Sequence, residues 1–68
     1  MESPELRLLF HRLNNQLGIV LSHAELLESR ATDASNRARA AQVVSSALEA
    51  MSTAKDIRSL FSLQEESE

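Results

Sequence analysis

Apolar side chains return along the first half of the chain at spacings of three and four. Leu6, Leu13, Val20 and Leu27 recur every seven residues, and Phe10, Leu17 and Ala24 interleave at the same period. This is the a/d seam of a helix that packs along its whole length. Leu9 and Leu21 widen the seam into a face that one partner helix cannot cover. Ser3-Pro4-Glu5 supplies the start. Serine caps free backbone N–H groups, proline suits the first helical position, and glutamate complements the positive end of the helix dipole. The pattern predicts a helix over about residues 4–30.

The stretch Ser29-Arg30-Ala31-Thr32-Asp33 breaks the period, and Thr32 or Asp33 can cap a second helix. That helix is expected over about residues 34–62. Its seam is Ala40, Val43, Ala47, Ala50, Ala54, Ile57 and Phe61, broadened by Val44, Leu48 and Met51. Small residues dominate it, which permits close approach of helices. Residues 63–68 include Gln64, Glu65, Glu66 and Glu68, an acidic tail expected to fray.

A connection this short forces the helices antiparallel. The expected architecture is all-α: an antiparallel two-helix hairpin, one domain over residues 1–68, with one apolar side left open. A second copy related by a two-fold axis closes that side as a dimeric four-helix bundle. A long antiparallel coiled coil without chemistry fits the same pattern.

Composition sharpens the need for a partner. Sixty-eight residues bury little surface, and domains of this size lean on a disulfide, a metal or association. There is no cysteine, and the two histidines, His11 and His23, lie about 18 Å apart along a helix, too far to share a metal. The formal charge is −3 and the basic residues are scattered in sequence, which argues against nucleic acid as a partner. No apolar run approaches a membrane span, and the N-terminus has no basic leader. The expected compartment is the cytoplasm.

The first helix also has a face outside the seam. With about 100° per residue and His11 set at zero, Asn15, Gly18 and Ser22 fall within about 40° of it, and the seam lies near 180°. His11 is therefore expected to point outward on a polar stripe. An exposed neutral imidazole offers a ring nitrogen as nucleophile, and Asn15, one turn on, can orient a water or a phosphoryl oxygen. Gly18 costs helix stability, and a bare patch for another protein's backbone is one reason to keep it. Leu8, Ile19 and Leu26 form a minor apolar strip beside the stripe, suited to the dimer core or to a docking patch. His23 sits on the shoulder of the seam, where a histidine satisfied by a neighbour is expected. Arg12 reads as a surface or inter-helix cation. The carboxylates form no pair suited to acid–base work.

The segment Phe10-His11-Arg12-Leu13-Asn14-Asn15-Gln16-Leu17 resembles the H-box of sensor histidine kinases, and residues 10–28 are similar to the first helix of their dimerisation and histidine phosphotransfer domain. The resemblance implies His11 as phosphoacceptor and Asn15 as the residue supporting phosphatase action. It places a receiver-docking surface on Gly18, Ile19, Ser22, His23 and Leu26. Where the main group has an acidic general base this chain has Arg12, as in the His-Arg-x-x-Asn form of the related HWE-type kinases. A chain with one glycine has no Gly-rich ATP-binding loop, so it is not an autonomous kinase.

The function expected is a stand-alone dimeric phosphotransfer module of two-component signalling. Its partners would be a response-regulator receiver or a separate kinase ATPase. It would bind no cofactor itself, with Mg²⁺ supplied by the receiver. The alternative is a non-enzymatic interaction module that keeps the bundle and binds or regulates a kinase or another helical partner. A piece of a larger kinase is a third reading, against which Met1 and the acidic tail weigh.

Overall fold

The computed structural model describes residues 3–66, with side chains described through Phe61. It is a hairpin of two helices, α1 (Pro4–Arg30) and α2 (Ala34–Glu66). Both starts are capped by side chains. The Ser3 hydroxyl accepts from the Leu6 N–H at 3.0 Å, and the Ser3 carbonyl accepts from Arg7 at 3.0 Å, with Pro4 in the first turn. Of the two residues able to cap α2, Asp33 does so. Its carboxylate accepts from the Asn36 N–H at 2.6 Å and from the Asn36 amide at 3.1 Å, while its carbonyl accepts from Arg37.

Ala31, Thr32 and Asp33 connect the helices. Ala31 leaves α1 with extended backbone (φ −64°, ψ 133°), so the turn needs no left-handed residue. The Ala31 carbonyl, left without an intrahelical donor, accepts from the Arg37 guanidinium at 3.1 Å. One helix thus ties off the other. The second helix runs four residues beyond the expected 62. Glutamine and glutamate are good helix formers, and neither glycine nor proline stands there to stop it. Met1, Glu2, Ser67 and Glu68, the last two part of the tail expected to fray, lie outside the described residues.

The two helices meet along a line of mostly small residues. Phe10 and Ala24 of α1, with Ala40, Ala47 and Ala54 of α2, are the buried side chains among those described. The three α2 alanines are seven apart and form one flat stripe. Leu6, Leu17 and Leu21 of α1 lie over it half-buried, beside Val44 and Met51. Bulk comes from α1 and flatness from α2.

The heptad seam is split lengthwise. Phe10, Leu17 and Ala24 turn toward α2, whereas Leu9, Leu13, Val20 and Leu27 remain exposed. On α2, Val43, Ile57 and Phe61 are likewise exposed. Leu27 and Val43 line the same two shallow hollows, so both helices contribute to one open apolar face. The hairpin measures 54 × 18 × 10 Å, one helix thick. Its accessible surface of 5542 Å² exceeds by about 1,300 Å² that of a compact monomer of its mass.

Candidate functional site

Helix α1 carries the candidate residues on its outward side. His11 and Asn15 are exposed, one turn apart. Neither side chain makes a hydrogen bond among the described residues. The imidazole stands away from the contact with α2 and away from the open apolar face. Its approach is limited only by its own helix, with Arg7 and Asn15 one turn either side and Arg12 next in sequence.

The docking residues divide into two groups. Ser22 and Leu26 are exposed on the outward stripe, and Gly18 is half-buried in line with them. A methyl group added at Gly18 would meet nothing within 4 Å, so no neighbour inside the hairpin requires glycine there. Ile19 and His23 are also exposed, but they border the open apolar face, lining a hollow of about 300 Å³ with Val20, Leu27 and Val43. The outward stripe and the open face therefore share an edge.

His23 departs from expectation. It is exposed, and its ring makes no hydrogen bond among the described residues. The reason is geometric: α2 covers the other shoulder of α1, where Leu21 and Glu28 are half-buried. Leu8, Ile19 and Leu26 are exposed for the same reason.

A second feature beside His11 arises only from the pairing of the helices. Phe10 and Asn14 of α1 face one groove together with Ser52, Ala54, Lys55 and Arg58 of α2. With Met51 these residues line an open groove of about 650 Å³. Arg7 precedes Phe10 and His11 by about one turn of the same helix. Two basic residues of α2, Lys55 and Arg58, thus line one groove, and no acidic side chain lines it among the described residues. Nothing in the linear pattern marks this cluster, although the heptad match of Phe10 with Ala54 would have located it.

Among the described residues no three His, Asp or Glu side chains come together in a way that could hold a metal ion. No helix is long and apolar enough to cross a membrane. No protein-family model matches the chain, and neither a curated protein nor a solved structure does.

Proposed function

We propose that the protein is a cytoplasmic, homodimeric phosphotransfer module of two-component signalling, resembling the dimerisation and histidine phosphotransfer domain of sensor kinases, with His11 as phosphoacceptor. The observation that carries this reading is the placement of His11. It is exposed, one turn from Asn15, on a helix whose remaining faces are taken up by α2 and by an open apolar stripe. The surplus of exposed surface supports the dimer, because a specific interface covers about 800 Å² on each partner.

The chemistry asks little of this chain. A neutral ring nitrogen of His11 attacks the phosphorus of an aspartyl phosphate on the receiver. The P–N bond forms as the acyl P–O bond breaks, the aspartate leaves as carboxylate, and the ring proton is left to solvent. Catalysis is positioning of in-line groups, with charge on the phosphoryl oxygens balanced by Mg²⁺ that the receiver would supply. Asn15 would orient a water for hydrolysis. Gly18, Ile19, Ser22, His23 and Leu26 would seat the receiver. In the forward direction a separate kinase ATPase could charge His11.

The test mixes the full chain with isolated receiver domains charged with acetyl phosphate and follows label on the chain. Acid-labile label on the wild type and none on His11→Ala is the expected result. No label on the wild type, or equal label on both, removes the proposal. Arg12, standing where the main group has its acidic base, favours a second reading: an interaction module that binds a kinase or helical partner without phosphorylation. Partner binding that survives His11→Ala in a chain that takes no label would establish it.

A further inference from the structure

We infer that the second copy covering the open apolar face lies end for end with the first, so that the connection of each hairpin rests over the free helix ends of the other. This deepens the homodimer of the reading above, on which it rests, and is separate from the chemistry of His11. Two arrangements close the face with a two-fold axis. An axis running along the helices puts both connections at one end. An axis running across them puts the connections at opposite ends, with α1 along α1 and α2 along α2, each pair antiparallel. Both can cover the apolar rows, because Leu9 and Phe61 toward one end match Leu27 and Val43 toward the other as exposed apolar side chains. Charge separates the two.

At the connection the face is cationic. Arg30 and Arg39 line its hollow together with Leu27, Ala31, Ala40 and Val43, and no acidic side chain lines it among the described residues. Both arginines are exposed, and neither side chain makes a hydrogen bond or ion pair among the described residues. At the free end the balance is reversed. Glu5, in the first turn of α1, precedes His23 by about five turns and so stands on the line that borders the face. Beyond Phe61 the sequence adds Glu65, Glu66 and Glu68 and no cation. Arg12 shares the border of α1, and these carboxylates outnumber it. Lys55 and Arg58 line the groove with Asn14 instead. With both connections at one end, Arg30 and Arg39 of the two copies converge on one another, and so do the carboxylates at the far end. Reversal sets each basic end over an acidic one, which favours that pairing and disfavours the other. A specific interface takes about 800 Å² from each copy, within the surplus surface that the hairpin exposes.

The chain has no cysteine, so a single introduced thiol is unique. Leu9 and Leu27 are exposed on the face, about 27 Å apart along α1. Full-length Leu9→Cys and Leu27→Cys are treated with a short bismaleimide, each alone and after refolding together. A covalent dimer from the mixture and none from Leu27→Cys alone is the expected result. A covalent dimer from Leu27→Cys alone, or none from the mixture, overturns the proposal. The second measurement is the dimer dissociation constant, by sedimentation, of the wild type and Arg30→Gln/Arg39→Gln. Neutralising the arginines should raise it about tenfold at low salt and less at high salt, because an attraction is lost. An unchanged or lower constant, as relief of a repulsion gives, overturns the proposal. Unchanged circular dichroism of the double variant confirms that folding is not what changed. A wild type that sediments as a monomer removes the homodimer of the reading above together with its orientation, whereas a dimer linked through Leu27→Cys alone removes the orientation and leaves the homodimer.

Discussion

Leu27 of α1 and Val43 of α2 face the same uncovered hollow, 66% and 46% exposed, although Ala24 and Ala40, three residues before each, are buried. Their helices are already paired through Ala24 and Ala40, so this exposure is not a defect of the hairpin. A second copy laid on this face would bury both rows. Leu27→Asp should therefore shift the protein from dimer to monomer in sedimentation and lower its Tm. The wild-type Tm should rise with protein concentration. A Tm independent of concentration would contradict the dimer.

The α2 alanine stripe sets how closely the helices approach. Ala47 is 5% exposed, with half-buried Leu17 opposite it in the heptad register. Ala47→Leu inserts bulk with no space to receive it and should cost about 1–3 kcal/mol in urea unfolding. The same change at exposed Ser45 should stay within about 0.5 kcal/mol.

Gly18 separates stability from recognition. With open space where its side chain would be, Gly18→Ala should stabilise the helix by about 1 kcal/mol, seen as a higher urea midpoint with unchanged slope. If the outward stripe seats a receiver, the same variant should transfer phosphoryl groups more slowly. A gain in stability without a loss of transfer would take Gly18 out of the docking surface.

Asp33 holds the start of α2 alone. Asp33→Ala removes two hydrogen bonds to Asn36 and should cost about 1 kcal/mol, whereas Thr32→Ala should change little. Equal effects in thermal melts would show that the cap is shared.

Much of this fold is written in the order of residues. The heptad rows give both helices, Ser3-Pro4 gives the first start, and Asp33 was one of two caps the sequence offered for the second. The end of α2 was less legible, because Leu63-Gln64-Glu65-Glu66 carries the charge of a tail together with the propensity of a helix. Periodicity placed His11 and Asn15 outward because that depends on one helix alone. It could not say which half of a broad seam α2 would cover, and so His23 was expected to find a neighbour on the side that is open. The groove at Lys55 and Arg58 was hidden for the same reason: it belongs to the pairing of the helices and to neither taken singly.

His11→Ala, remote from both apolar faces, should leave the urea midpoint unchanged to within about 0.5 kcal/mol. A larger loss would mean that the imidazole carries structural weight, and the phosphoryl assay on that variant would then report on folding.

A molecule 10 Å deep hides few side chains by its own means: among the described residues one phenylalanine and four alanines. Both helices present one side to bulk water along their described length, so hydrogen exchange in the lone hairpin should be fast beside that of a closed bundle. Any further inside would have to be lent by a second copy, so that the number of molecules present, as much as the order of residues, would decide how much inside there is.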